Sequence, residues 1–425
     1  MTGRSSREER TRDAAGEFAT ALPPGNARGP LFLGEELRAW VVLAVGVLAV
    51  SAHSALSFGI TPLMRALTAD LGWTRSEYAT AINFRILLLM AAAPLAGSVV
   101  DRFGARAVLA LGALAMAAGG AVMAGADTLG DLYGASVLIG PAQACIGSVA
   151  GSALVLRRFR RQRGVAIGIL NGGDNIITSG VHYGAAALLV ATGWRGALDV
   201  IAVAYVFLAL LFTLTLASGE GRAVRATPGE SRIPWRDRRF QALLACYVLI
   251  YAFITSVGLH FPAFQQDLGR SPTEAAAIYG TSNLVGALGS IACGLWAQRF
   301  GAARTLVGVV AGLLLTSFVL WLPLPGWAFW PWAAVYGVAN AGAVALLALI
   351  LDEHHGVAGI GRLLGTAMVF CMGATIAGNQ LSAAVFDASG SYLPVWRLYS
   401  GAMVVALVPA WFVARGALRG RRQPV

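Results

Sequence analysis

Lysine is missing altogether from these 425 residues, so all 32 basic residues are arginines. Charge of either sign is scarce: 12% of the chain is charged and 57% is hydrophobic. With a mean hydropathy of +0.67, too little polar surface exists to clothe the two or three soluble domains that this length would otherwise suggest. An integral membrane protein is expected. The net charge of +11 would suit nucleic acid if the arginines shared a soluble face, but they fall in short loops between apolar runs, which argues against that partner. Cys145, Cys246, Cys293 and Cys371 lie far apart, each inside an apolar run, and read as small packing residues rather than as disulfides or a metal site. No phosphate-cradling Gly-rich loop with Lys-Ser/Thr, no zinc-helix motif and no hydrolytic constellation occurs, so neither an enzyme nor a cofactor or ATP is expected.

What the chain does have is length in apolar runs. Residues 1–36 mix charges with Gly, Pro and Ser, offer no signal-peptide core, and read as a disordered cytoplasmic tail. Six segments of about 20 residues, enough to span a bilayer, follow at 37–60, 77–99, 107–125, 131–156, 164–190 and 195–217. A polar stretch at 218–239 reads as a cytoplasmic linker. Six more segments lie at 240–262, 273–297, 304–323, 327–351, 362–386 and 392–415, and a basic tail, 416–425, closes the chain. The expected fold is an all-α membrane protein of twelve transmembrane helices in two pseudo-symmetric six-helix bundles, 37–217 and 240–415.

Arginines cluster at every second loop: Arg102 and Arg106, the run Arg157 to Arg163, the linker, Arg299 and Arg304, Arg362, and Arg415 to Arg422. The positive-inside rule then puts both termini on the cytoplasmic side of the inner membrane of the cell. Gly193-Trp194-Arg195 and Val395-Trp396-Arg397 read as interfacial anchors, with rings at headgroup depth and guanidiniums snorkelling.

The two halves are written alike. Gly97-Ser-Val-Val-Asp101-Arg102-Phe103-Gly104-Ala-Arg106 returns as Gly294-Leu-Trp-Ala-Gln298-Arg299-Phe300-Gly301, and the offset of 197 also maps Leu71-Gly72 onto Leu268-Gly269, Glu77 onto Glu274 and Gly168 onto Gly365. Twelve spans, this repeat and the Gly-x-x-x-Asp-Arg-x-Gly-x-Arg loop together resemble the major facilitator superfamily over about residues 37–415. The resemblance implies that Gly97, Asp101, Arg102, Gly104 and Arg106 form a cytoplasmic gating motif, with Asp101 facing the N-terminal end of the eleventh helix near Arg362, and that Arg299 and Gly301 belong to its second copy. Gln298 stands there in place of the aspartate. Leu71-Gly-Trp73-Thr-Arg75-Ser-Glu77 and Phe159-Arg-Arg-Gln-Arg163-Gly164 resemble the monocarboxylate-porter and oxalate/formate-antiporter branch. The eighth span, Tyr279 to Ser290, lacks the aspartate and arginine usual in that branch.

An ionisable side chain at bilayer depth costs several kcal/mol, so each needs a partner or a task. Arg85 in the second span and Asp174 in the fifth both come out near the midplane and are expected to face one another. They are read either as a static pair or as an anion-binding guanidinium with a proton-carrying carboxylate. Asn171 and Asn175 flank Asp174, beside Gly172 and Gly173. Gln143, Asn283, Asn340 and Asn379 offer uncharged polar contacts to a substrate or bridge helices. His53 and His182 read as a substrate contact and a proton relay, or as singly hydrogen-bonded packing residues. His354-His355 beside Asp352 and Glu353 read as a solvated helix end, because adjacent residues do not share a helix face. The expected function is a secondary transporter, working as a monomer, that moves a small carboxylate-type anion with a proton or a counter-anion. The alternative is a proton-coupled exporter of a drug-like or secondary-metabolite molecule. A receptor would need a soluble signalling domain that neither tails nor linker are expected to fold.

Overall fold

The computed structural model describes residues 31–32, 35–103, 105–146, 163–215, 233–355 and 360–420. Most of the expected N-terminal tail, the arginine run at 157–161, Gly104 and most of the linker lie outside the described residues. Of the tail's end, β1 (Leu31–Phe32) and β2 (Glu35–Glu36) pair antiparallel, where no strand was expected. Helices follow as α1 (Leu37–Gly59), α2 (Met64–Leu71), α3 (Arg75–Phe103), α4 (Ala105–Ala124), α5 (Leu129–Ile146), α6 (Arg163–Thr215), α7 (Arg238–Asp267), α8 (Pro272–Phe300), α9 (Ala302–Val319), α10 (Phe329–His355), α11 (Ile360–Ser389) and α12 (Leu393–Gly420).

α6 carries two of the expected spans. Gly193, at φ 73° and ψ 177°, breaks it into limbs 163–192 and 194–215; this backbone region is open to glycine and strained for other residues. Gly173 before the break packs on Val47 and Tyr205 after it bonds to the carbonyl of Ala52. Both limbs therefore lie along α1. Counting them separately gives twelve passes, joined by the short α2, which the sequence reading left as loop. α2 is amphipathic, burying Met64, Leu67 and Thr68. Eight helices among the described residues are individually long and apolar enough to cross a membrane.

The repeat is visible in the packing. α1 lies on α6, α3 on α5, α4 on α5 and α4 on α6; the second half repeats this as α7 on α11, α8 on α10, α9 on α10 and α9 on α12. The capping chemistry repeats as well. Thr74 and Glu77 form a reciprocal box at the start of α3, with Thr74 N donating to Glu77 Oε2 at 2.8 Å and Glu77 N to Thr74 Oγ1 at 3.1 Å. One repeat later Glu274 N donates to Ser271 Oγ at 3.1 Å. One large core fills each half, that of the first also taking in Leu259, Ala263 and Ala383 from the second, and a small third cluster joins α1 to the start of α6. Close approach is made by glycine: a Cβ at Gly337 would meet the carbonyl of Ser282, and one at Gly289 would lie 2.5 Å from Val338 Cα, so α8 and α10 touch backbone to backbone. Outward faces such as Leu284, Leu288, Ile291 and Leu295 are exposed, as lipid contact requires.

The two expected tryptophan anchors are corrected. Trp194 is buried and donates to Asp70 Oδ2 at 3.0 Å. Trp396 is fully enclosed against Phe264 and Tyr392. Each ring finds its partners inside the protein, so neither faces the lipid headgroups. Arg195, rather than snorkelling, pairs with Asp127 at 2.8 Å and takes the carbonyls of Ala124, the last residue of α4, and of Ala126 just beyond it. The cysteines are free, and Cys246, Cys293 and Cys371 are buried, as packing residues would be.

Candidate functional site

The halves meet along two seams, α3 with α11 and the first limb of α6 with α8. At the end where α1 and α7 finish, here the far end, the first seam is closed by charge. Arg75 makes a two-pronged contact with Asp267, Nη1 to Oδ2 at 2.7 Å and Nη2 to Oδ1 at 2.8 Å. Its guanidinium carbon lies 3.6 Å above the ring of Phe386, and Arg65 reaches the same carboxylate at 3.3 Å. Asp387, on α11, accepts the backbone N–H of Arg75 at 3.1 Å and of Ser76 at 2.9 Å. These are among the orphan donors of a helix start, so one half supplies the cap of a helix in the other.

Deeper along the same seam charge gives way to amides. Thr80 Oγ1 and Asn83 Nδ2 both donate to Gln380 Oε1, and Asn379 Nδ2 donates to Asn83 Oδ1 at 3.3 Å. On the second seam Ser179 Oγ donates to the Gly280 carbonyl at 2.6 Å, Tyr183 OH reaches the Ala277 carbonyl at 3.1 Å, and His182 meets Tyr279 edge to face at 4.9 Å. The far half of both seams is therefore shut.

Beneath this closure sits Arg85, ten residues into α3 and so roughly 15 Å along it. It is 4% exposed, and its Nε and Nη1 have no hydrogen-bond partner among the described residues. Its electrostatic neighbours are the phenols of Tyr78 and Tyr205 and the ring of His53. The phenols are themselves engaged: Tyr205 bonds to the carbonyl of Ala52 and Tyr78 to that of Ile60. His53 and Gln143 exchange bonds through each other's backbone carbonyls, at 3.1 and 3.2 Å, which clasps α1 to α5. Gly140 brings α5 against the carbonyl of Arg85.

Asp174 occupies a different environment. It is half-buried, accepting Ser54 Oγ and Thr178 Oγ1 at 3.3 Å each, with Ser51 beside it. The expected facing of Arg85 and Asp174 is not realised. His53 and Ser54, the α1 residues nearest the two, are adjacent and point about 100° apart on a helix of 3.6 residues per turn. Gly173 fits against Val47, while nothing lies within 4 Å of where a Cβ of Gly172 would be, so that neighbour of the carboxylate stays open. Asp174, Thr178 and His182 follow at i, i+4 and i+8, one stripe up a single helix face.

Other expected residues fall elsewhere. Asn379 is part of the seam rather than a chamber wall, and its carbonyl accepts His260 Nε2 at 3.0 Å while His260 Nδ1 meets Tyr392 OH at 2.9 Å. His260 is thus a buried clasp. Asn283 and Asn340 are half-buried, and Asn283 Nδ2 has no partner among the described residues. Asn175 is half-buried and held by a further contact. The side chains of Asn171, Gly97, Asp101, Arg102, Gln298 and Arg362 lie outside the described residues. Arg106 is half-buried and engaged; Arg299 is exposed, 5.6 Å from the ring of Phe300. Gly301, at φ 93°, ends α8. The sequence reading assigned no role to Arg75, Asp267, Asp387 or Asn83; only the Leu-Gly-Trp-Thr-Arg segment around Arg75 drew notice.

Comparison with known proteins agrees with this architecture. Residues 46–379 match the family model described as Major Facilitator Superfamily. MFS-type transporter 1 of Ophiocordyceps sp. (strain BCC 1869) is 24% identical over 82% of this chain and 78% of its own. The nitrite extrusion protein of Bacillus subtilis (strain 168) is 23% identical over 78% and 84%, and human monocarboxylate transporter 11 is 26% identical over 86% and 81%. The crystal structure of the nucleoside transporter NupG superposes with a TM-score of 0.76 at 16% identity, covering 88% of this chain and 99% of that one, a likeness of fold.

Proposed function

Because the chain belongs to the major facilitator superfamily and is a membrane transporter, we propose that it moves a small organic anion, coupled to a proton or exchanged for a second anion. One observation carries this: Arg85 is a buried guanidinium whose Nε and Nη1 have no partner among the described residues, on a helix that forms an inter-bundle seam. A planar fork of this kind suits a carboxylate. The printed names of two relatives, a nitrite extrusion protein and a monocarboxylate transporter, both refer to small single-charged anions.

Charge balance supplies the mechanism. An anion on Arg85 and a proton on Asp174 leave each group neutralised, so the loaded protein reorients without an uncompensated charge in the hydrocarbon, a cost of several kcal/mol. The bundles rock about this midplane. Releasing Arg75 from Asp267 opens the far end, taken as the external face since the arginine distribution places both termini in the cytoplasm, with the chain in the inner membrane and working as a monomer. The proton then leaves Asp174 along the Thr178 and His182 stripe. His53, Gln143, Asn171, Asn175, Asn283 and Asn340 complete the polar lining, with Asn379 contacting substrate when its seam parts. Gly97, Asp101, Arg102, Gly104 and Arg106, with Arg299 and Gly301, close the cytoplasmic side.

Uptake of a panel of carboxylates and nitrite into proteoliposomes, with and without a pH gradient, tests the reading. Arg85→Ala is expected to abolish uptake and Arg85→Lys to impair it, while Asp174→Asn keeps anion exchange but loses the response to the gradient. Parental rates in both Arg85 variants, correctly inserted, would overturn the anion site.

A further inference from the structure

A groove of about 690 Å³ runs along the outside of the second half, between α8, α9 and α10 and away from Arg85 and Asp174. Its floor is one face of α9, where Arg304, Gly308 and Gly312 follow at i, i+4 and i+8. A Cβ at Gly308 would meet nothing within 4 Å, so the channel there is bounded by backbone alone. Trp296 and Phe300, a helical turn apart on α8 and both about half exposed, form one wall, and Val338 of α10 is on the other side.

The groove is apolar along its length and cationic at one end. Arg304 stands at the end shared by both termini of the described chain, exposed, with no ion pair or hydrogen bond among the described residues. Arg299, five residues earlier at the end of α8, is exposed against Phe300. Glu353, at the same end of α10, accepts the N–H of Ala302 at 2.9 Å and forms no ion pair with Arg304 among the described residues. In the first copy of this loop an aspartate precedes the arginine; here Gln298 does, so no neighbouring acid in the motif competes for the guanidiniums.

We propose that this groove binds an anionic phospholipid of the leaflet on the side of the termini, one acyl chain lying over Gly308 and Gly312 and the phosphate between Arg299 and Arg304. Apolar length with a paired cationic mouth fits an amphiphile whose charge is at one end. The second loop copy would then add lipid recognition to its part in closing the cytoplasmic side.

The full-length purified protein, titrated with phosphatidylglycerol or phosphatidylcholine and followed by native mass spectrometry, tests this. Phosphatidylglycerol is expected to bind more tightly. Arg304→Gln weakens it about fivefold and Arg299→Gln with Arg304→Gln about thirtyfold, at the usual worth of an arginine near a charged lipid surface. Gly308→Leu fills the channel and removes binding without changing charge. Brominated phosphatidylglycerol is expected to quench the parent's fluorescence more than that of Trp296→Phe, which locates the lipid. Equal binding of the two lipids, an unweakened double variant, or identical quenching in Trp296→Phe would each overturn the proposal.

Discussion

The two halves share one arrangement of helices and differ in what fills them. The first half buries Arg85 and His182 and half-buries His53 and Asp174. The second is packed towards its far end with aromatic rings: Phe261 stacks on Trp332 at 4.3 Å and 6°, Trp332 on Tyr336 at 4.8 Å and 9°, and Tyr392 on Trp396 at 5.6 Å. Its buried histidine, His260, has both nitrogens engaged. Large flat side chains bury much area and favour offset geometries, which makes that half a stiff wall. On the proposed mechanism, the charged half holds the groups that change their bonding during a cycle. A duplicated backbone would then have kept its packing while dividing the labour of binding and bracing.

Substitutions can break this contrast. The largest stability effect is expected in the braced half, where Trp332→Ala should cost about 3–5 kcal/mol, read as a lowered thermal midpoint in detergent with the ion dependence of uptake unchanged. Next comes the latch between the halves. Asp267→Asn leaves Arg75 facing a neutral partner, and since Asp267 is about a quarter exposed the cost falls below that of a fully buried pair, to about 1–3 kcal/mol. That loss is spent on conformation rather than folding, so a cysteine placed at a buried position of the seam, as in Asn83→Cys, should become labelled from the far side. An exchanged pair, Arg75→Asp with Asp267→Arg, should restore protection. The smallest effect sharpens the comparison by being the same on both sides: Thr74→Ala and Ser271→Ala each remove one cap, at about 1 kcal/mol, and should lower the midpoint equally. Unequal shifts would mean that the capping boxes are not equivalent.

Much of the fold was legible because apolar length, arginine placement and a 197-residue repeat are properties of the chain alone. Span limits were read within a few residues except where α6 ran through Gly193 as one helix. Position along a helix was legible too, since it follows from rise per residue. Azimuth was not. Whether Arg85 turns to Tyr205 or to Asp174 depends on how α1, α3 and α6 are rotated against each other, which periodicity weakened by all-round apolar faces does not encode. The latch was invisible for a related reason. Arg75 and Asp267 are 192 residues apart and become neighbours only once two bundles close. Trp396 misled because the same dipeptide at Trp194 suggested a shared role at the surface, whereas packing took both rings inward.

Asp387 completes the first turn of α3 from across the seam, since it takes the amides of Arg75 and Ser76 while Thr74 serves that of Glu77. Parting the bundles must therefore hand those two amides to water. Their deuterium uptake becomes a built-in clock for opening, slow whenever the mouth is shut and fast whenever it gapes, readable on the unlabelled transporter during turnover.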